Sequence, residues 1–175
     1  SRAIFGFDVE TLPTHKNKFL LARITGPGVS KLFWNKHAMA DWIMHNAKLF
    51  KNSYICATNL GFDTLASIPG TKLERFFFPV FRGSEMIFAR LRFGRHTIKF
   101  IDTMNFLKCS VKSLGEIIGL PKLDTPAYIK DGRMPYPHEY NSIIKYNERD
   151  TKITESFMAW LQAELLKIGA SMEIT

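Results

Sequence analysis

Two carboxylates near the start of the chain, Asp8 and Glu10, lie in an apolar segment that alternates as a β-strand does. Side chains two apart on a strand point to the same face. The pair should therefore share one face, while the apolar residues Phe5, Phe7 and Val9 occupy the other. Carboxylates this close repel each other and resist losing water. The pattern predicts a cation between them, and a divalent metal with oxygen ligands is the simplest choice.

A third acid interrupts the apolar stripe of a long helix expected near the end of the chain. Asp150 stands where the helical spacing calls for a core residue, and Tyr146 precedes it by four positions. Residues four apart on a helix project in the same direction, so the phenol and the carboxylate should lie together. A buried acid needs a partner. A metal ion and an Arg or Lys side chain both meet that need.

A fourth acid, Asp63, follows a short apolar strand in a segment that begins at Asn59 and includes Phe62. The ends of strands are where α/β sheets place their ligands, which favours a binding role. An acid in the first turn of a helix is also favoured by the helix dipole alone. Asp63 by itself therefore indicates no function.

Taken together, the segments resemble the three exonuclease motifs of the DEDD superfamily, in their order and in the element that carries each. A tyrosine rather than a histidine four residues before the last acid marks the DEDDy branch. Within that branch the chain is similar to the proofreading domain of family B DNA polymerases, particularly the protein-primed ones, whose second motif reads Asn-Leu-x-Phe-Asp. The matching segments are Asp8-x-Glu10, Asn59-x-x-x-Asp63 and Tyr146-x-x-x-Asp150.

The resemblance implies an α/β fold of the RNase H-like (DnaQ-like) class, with a mixed five-stranded sheet flanked by helices. It also implies a single exonuclease domain over residues 1–175 that removes nucleotides from DNA 3′ ends with two divalent ions, Mg²⁺ or Mn²⁺. The expected ligands of these ions are Asp8, Glu10, Asp63 and Asp150.

Further roles follow from the same resemblance. Tyr146 is expected to orient the attacking water, because a phenol with its usual pKa near 10 is a poor base at neutral pH. A lysine before the third motif is expected to contact the scissile phosphate, with Lys122 as the candidate and Lys130 as the alternative. The residues expected to bind the terminal nucleotides or a nearby phosphate are Thr11, Asn59, Phe62 and Tyr128.

Composition agrees with a nucleic-acid partner. The chain has 24 Lys and Arg against 16 Asp and Glu, a net charge of +8, which attracts polyanions, although a basic surface also serves solubility alone. Arg90 and Arg92, with Arg95 and Phe88, form a basic and aromatic face on a predicted hairpin. Such a face suits a single-stranded backbone, and a merely solvated hairpin fits it equally well. The expected partners are single-stranded DNA 3′ ends and a polymerase domain of the same parent chain.

Several classes of protein fit the sequence poorly. The 175 residues suit one domain rather than two, and no apolar run is long enough to span a bilayer. Two cysteines without a Cys-x-x-Cys pair favour a reducing compartment, so we expect a cytoplasmic or nucleoid-associated protein, with an organelle as the alternative. The absence of an Asp-Thr-Asp polymerase motif in this stretch argues against polymerisation by it.

Three alternatives stay open at the level of sequence. The chain could be an RNase H-like module that binds nucleic acid or a polymerase without cutting, or an RNA-directed DEDDy exonuclease. It could also be a free-standing nuclease rather than part of a polymerase.

The elements that must position these residues can be predicted from periodicity and turn chemistry. A strand over 4–11 is followed by strands over 18–25 and 31–34, a helix from Asn35, and a strand over 53–58. Residues 85–93 and 96–102 should form a hairpin around Gly94. Helices are predicted over 111–119 and 137–169, with a Pro-rich loop between them.

Overall fold

The computed structural model describes residues 1–173, so the last two residues of the predicted domain lie outside the described part. Seven strands form one mixed sheet in the order β3-β2-β1-β4-β7-β6-β5, in which β1, β4 and β7 run parallel and the other neighbours antiparallel. The strands are β1 (Ala3–Leu12), β2 (Lys18–Gly26), β3 (Val29–Phe33), β4 (Ser53–Ala57), β5 (Phe77–Arg82), β6 (Glu85–Phe93) and β7 (His96–Asp102).

Helices cover both faces of the sheet. Asn35 begins the first of them as predicted, because its side chain accepts hydrogen bonds from the backbone N–H groups of His37 and Ala38. Short 3₁₀ turns occupy 13–15, 47–50, 74–76, 103–105 and 137–139. The α-helices are α1 (Lys36–His45), α2 (Leu60–Ser67), α3 (Val111–Ile118), α4 (Ala127–Lys130) and α5 (Tyr140–Lys167).

The alternation of β1 separates two apolar layers, as the sequence predicts. Phe5, Phe7 and Val9 pack with α1 and α2 on one face. Ile4 belongs to the cluster on the other face, which is covered by α3 and α5. Asp8 lies on the α5 side of the strand, where its Oδ2 accepts a hydrogen bond from α5. The central strands are thus buried on both faces, and acids that follow Ile4 by an even number of residues point toward α5.

The sheet is larger than predicted, since it has seven strands and not five. The edge strand β5 accounts for part of the difference and has no counterpart among the strands predicted from periodicity. Its side chains are mostly exposed, and its five consecutive apolar residues, one of them Pro79, do not alternate with polar ones. Periodicity cannot detect such a strand, because only backbone pairing with β6 defines it.

The second half of the chain follows the predicted order with one addition. The long helix is continuous over 28 residues, and the Pro-rich loop before it contains the single-turn helix α4. Within residues 1–173, none of the helices combines the length and the apolar composition needed to cross a bilayer.

Candidate metal centre

Strand β1 and helix α5 approach each other closely at Gly6. A Cβ at this position would lie 2.5 Å from the backbone oxygen of Thr151 and 2.9 Å from the Cβ of Glu155. Only glycine permits this contact between a strand and a helix. The consequence is that Asp8, two residues further along the strand, faces the turn of α5 that carries Asp150.

Three carboxylates meet at this contact, and we call Asp8, Glu10 and Asp150 the acid cluster. One carboxylate oxygen from each residue lies within 4.8 Å of the other two. The sequence predicted that Asp8 and Glu10 share a face, and the fold adds the third acid from a segment 140 residues away. Oxygen ligands at this spacing suit a hard divalent cation such as Mg²⁺, Mn²⁺ or Ca²⁺.

The acid cluster is short of positive charge. Burial, and then the charge of Asp150, raises the pKa of Asp8 to about 7. Burial and the neighbouring Asp8 raise the pKa of Glu10 well above its usual value, and burial raises that of Asp150. Carboxyl groups whose pKa values are raised by desolvation and by one another hold their protons more tightly than free groups do. A bound cation would reverse this effect.

Lys122 is the cation that reaches the acid cluster from the described part of the chain. Its Nζ donates hydrogen bonds to Asp150 Oδ2 at 2.6 Å and to the hydroxyl of Tyr146 at 2.7 Å. Burial alone would lower the pKa of Lys122, but the contacts with Asp150 and Tyr146 outweigh it and raise the pKa. Arg149 donates a hydrogen bond to the backbone oxygen of Pro121 and so fixes the segment that carries this lysine.

The residues present fit a metal ion. The second carboxylate oxygen of Asp150, Oδ1, is buried and has no hydrogen-bond partner within residues 1–173. A buried acceptor without a donor is costly, and a divalent cation at the acid cluster would satisfy it. One lysine also cannot neutralise three carboxylates. Both the unpaired oxygen and the charge deficit therefore favour a cation site at this position.

Asp63 lies beside the acid cluster rather than within it. Its Oδ1 accepts a hydrogen bond from the backbone N–H of Val9 at 2.8 Å, which ties α2 to β1. Burial, followed by the charge of Asp8, raises the pKa of Asp63 well above its usual value. Of the four acids predicted as ligands, the structure thus brings three together. It places the fourth against the same strand, where the charge of Asp8 affects its pKa.

Asn147 is a site residue that the sequence reasoning missed. Its Nδ2 donates to the backbone oxygen and to Oδ2 of Asp8, at 3.2 and 3.1 Å. This amide is fully buried and fixes the orientation of the Asp8 carboxylate. The available signal was its position on the helix, three residues before Asp150 and next to Tyr146, on the inward face.

Asp102 is a second missed residue, with a different kind of environment. It ends β7, and its carboxylate accepts hydrogen bonds from the backbone N–H groups of Asn59, Leu60 and Met104 at 2.9–3.1 Å. Asn59 has a positive φ of 69°, a conformation that asparagine tolerates better than most residues. Asp102 therefore caps α2 from a neighbouring strand and holds the start of the helix that carries Asp63.

Thr11 and Tyr128 lie together at the end of β1. The Tyr128 hydroxyl donates to the backbone oxygen of Thr11 at 3.2 Å, and its ring is completely buried. Burial, followed by the charge of Glu10, raises the pKa of this phenol. The structure places Tyr128 behind Thr11 rather than on the surface. Lys130, the alternative to Lys122, is exposed at the end of α4.

Asn59 and Phe62 line a pocket of about 400 Å³ between α2, β6 and the turn after β7, which we call the terminal pocket. Phe62 keeps 39% of its surface exposed, so its ring is accessible from solvent. Lys108 and Arg82 also border this pocket, together with the acids Glu85 and Asp102. An exposed aromatic ring is a surface on which a base can stack.

Arg90 and Arg92 are not brought to the acid cluster. Arg90 stacks on Phe88 with its Cζ 4.7 Å from the ring centroid, and that ring is buried rather than exposed as the predicted aromatic face requires. Arg92 pairs with Thr97 near the start of β7, whereas the acid cluster lies level with the other end of that strand. These arginines therefore form a separate basic surface.

Comparison with known proteins gives a fold but no family. No protein-family model and no curated protein matches the chain. Among solved structures, phi29 DNA polymerase complexed with single-stranded DNA matches with a TM-score of 0.63 and 14% identity over 94% of this chain. The same polymerase complexed with primer-template DNA and incoming nucleotides gives a TM-score of 0.65 and 15% identity over 97%. The fold is RNase H-like. In both comparisons the chain spans 32% of the polymerase's length.

Proposed function

We propose that this RNase H-like chain is a metal-dependent 3′-to-5′ exonuclease that acts on single-stranded or frayed DNA ends, as a proofreading domain does. The observation that carries the proposal is the acid cluster, with three carboxylates within 4.8 Å, one lysine and one unpaired buried oxygen. The likeness to a region of a polymerase complexed with single-stranded DNA supports the choice of substrate. The net charge of +8 supports it as well.

The acid cluster would hold divalent ions, Mg²⁺ or Mn²⁺. Asp8, Glu10 and Asp150 would bind one ion, and Asp8 would also bind a second with support from Asp63 through water. Two such ions, when bound, supply the activation of the attacking water and the stabilisation of the leaving oxygen. Asn147 would keep Asp8 in one orientation, because its amide donates to the Asp8 carboxylate.

Tyr146 and Lys122 would act on water and phosphate. Burial raises the pKa of Tyr146 although the Lys122 ammonium beside it opposes the shift, so the phenol stays protonated at neutral pH. A protonated phenol can donate to and orient a water molecule but cannot take its proton. Lys122, whose ammonium donates to Asp150 and Tyr146, would donate to the scissile phosphate, since a charged donor binds a phosphate oxygen strongly.

The 3′-terminal nucleotide would occupy the terminal pocket. Phe62 offers an exposed ring for base stacking, and Asn59 offers an amide for hydrogen bonding. Thr11 follows Glu10 directly and would lie next to the cleavage position. These contacts would not discriminate among the four bases. This suits an enzyme that must accept any mismatched end.

A strand labelled at its 3′ end tests the proposal. The wild-type chain should release labelled mononucleotide from single-stranded DNA in Mg²⁺ or Mn²⁺ and none in EDTA. Asp8→Ala should lower the rate by about 10³-fold, because a metal ion contributes several kcal/mol to such a transition state. Asp124→Ala, which removes an exposed acid from the loop next to Lys122, is the matched control and should retain the wild-type rate.

The same assay separates the alternatives. Failure to release mononucleotide under both metals would leave a nucleic-acid-binding module, and equal rates for Asp8→Ala and wild type would place the chemistry elsewhere. An RNA strand of identical sequence decides the sugar preference, and we expect DNA to be cleaved faster.

We also infer that the chain acts together with a polymerase activity. Its likeness covers 32% of a polymerase chain, and a proofreading nuclease needs a supply of newly extended ends. The reading frame that encodes Thr175 tests this inference. Polymerase sequence in the same frame would support it, and a stop codon directly after Thr175 would indicate a free-standing nuclease.

A further inference from the structure

A second concave surface is lined partly by β1 and α2, two of the elements that carry acids of the site. It has a volume of about 930 Å³ and lies between the start of β2, the start of α1 and the first residue of α5. We call it the Trp34 pocket. Leu12 and Leu65 form part of its lining, and each is two residues beyond an acid of the site, Glu10 and Asp63 respectively. Two elements, β1 and α2, therefore connect the pocket with the candidate metal centre.

The lining combines aromatic and basic side chains. Trp34 is 48% exposed and makes an edge contact with Tyr140, with ring centroids 5.5 Å apart. Lys16, Lys18 and Lys36 also line the pocket, whereas no acidic side chain from the described residues does so. Basic side chains attract a phosphate backbone, and an exposed indole offers a stacking surface for any base.

We propose that the Trp34 pocket binds the DNA strand on the 5′ side of the scissile phosphate, so that the enzyme holds several nucleotides and not only the terminal one. This inference rests on the proposed function for its strand polarity. Leu65, which is 67% exposed, lines both this pocket and the terminal pocket, so the two form a continuous surface.

The distance between pocket and site suits this role. Tyr140 is the first residue of α5 and precedes Tyr146 by six positions, which places it about 9 Å away along the helix axis. A strand that leaves the acid cluster would thus reach the pocket within a few nucleotides. The lining carries cations without acids and an exposed indole, and this combination favours a nucleic acid over a protein segment as occupant.

The test measures binding in EDTA, where no cleavage occurs, so its result does not depend on exonuclease activity. Fluorescently labelled oligothymidylates of two and eight nucleotides are titrated with the 175-residue chain and its variants. Trp34→Ala should weaken binding of the eight-nucleotide strand by about tenfold, as expected for loss of one stacked base, and should change binding of the dinucleotide much less. Trp160→Ala, which removes a tryptophan of similar exposure at 44%, is the control and should leave both affinities unchanged.

Lysine variants provide an independent arm. Lys18→Gln should reduce the slope of log affinity against log salt by about 0.7 for the longer strand, the value for one lost phosphate contact. Lys51→Gln, which changes an exposed lysine two residues before β4, should leave the slope unchanged. The inference is overturned if Trp34→Ala and Lys18→Gln bind the longer strand as wild type does, or if both oligonucleotides lose affinity equally. Cleavage without these effects would retain the exonuclease and reject the pocket, and these effects without cleavage would do the reverse.

Discussion

Two buried acidic regions lie at the same end of the parallel strands. They differ in the groups that compensate their negative charge. Asp102 accepts hydrogen bonds from three backbone N–H groups, and its charge stabilises the start of a helix. The acid cluster instead has carboxylates facing one another, with one lysine and an unpaired oxygen on Asp150. Backbone donors make a buried acid structural, whereas unbalanced acids require a cation from outside the chain.

The stability of the metal-free protein should separate the two regions most widely. Asp102→Ala leaves three N–H groups without an acceptor and should lower the free energy of unfolding by about 2–4 kcal/mol. Asp8→Asn should raise it by about 1–3 kcal/mol at pH 8. The folded-state pKa of Asp8, about 7, exceeds its unfolded value of about 3.8, so this group stabilises the fold at low pH and loses that contribution as the pH rises through 7. Partial access to water limits the effect.

Urea unfolding in EDTA at pH 8 measures both changes, with Asp124→Ala as the control for an exposed acid. Equal destabilisation by Asp102→Ala and Asp8→Asn would remove the distinction between the two regions.

Within the candidate metal centre, Tyr146→Phe should separate holding the metal from orienting the water. The variant keeps the ring and removes the hydroxyl that contacts Lys122. Cleavage should fall by about 10–100-fold, as for other residues that orient a ligand of a metal site, while metal affinity stays within about twofold of wild type. Single-turnover cleavage and a metal titration of the same preparation give the two numbers. A matching loss of metal affinity would make the tyrosine part of the binding site.

Proton competition should be visible only in the acid cluster. Burial and the neighbouring acids raise the pKa of Asp8 to about 7 and the pKa of Glu10 well above its usual value. Metal binding below pH 7 should therefore release at least one proton, and affinity should fall by at least about tenfold per pH unit. The measurement is a Mg²⁺ titration, followed by the rise in melting temperature, at pH values from 5.5 to 8. An affinity independent of pH in this range would show that Asp8 is not a ligand.

The sequence predicted the members of the acid cluster better than the surroundings that orient them. Asp8, Glu10 and Asp150 could be found because an acid that interrupts an apolar periodicity is a strong local signal. Lys122 followed from the resemblance alone, and the structure places its Nζ 2.6 Å from Asp150. Asn147 could not be recognised as a partner of Asp8, because a polar residue on an inward helical face does not say which strand it will meet.

Two further features lay beyond sequence reasoning for physical reasons. The capping of α2 by Asp102 joins residues more than forty positions apart, and only the parallel pairing of β4 with β7 brings them together. The Trp34 pocket is built from segments around Leu12, Trp34 and Tyr140, none of which is unusual by itself. Local patterns predict which face a residue occupies, but not which distant segment completes a surface.

Manganese binding tests the metal centre most directly. The electron paramagnetic resonance signal of free Mn²⁺ is followed while the ion is titrated into the wild-type chain, Asp150→Asn and Asp102→Asn at pH 7.5. A metal centre at the acid cluster predicts at least one bound Mn²⁺ per chain for wild type and Asp102→Asn, and at least tenfold weaker binding for Asp150→Asn. Unbound Mn²⁺ in the presence of wild type, or equal binding by Asp150→Asn, would contradict it.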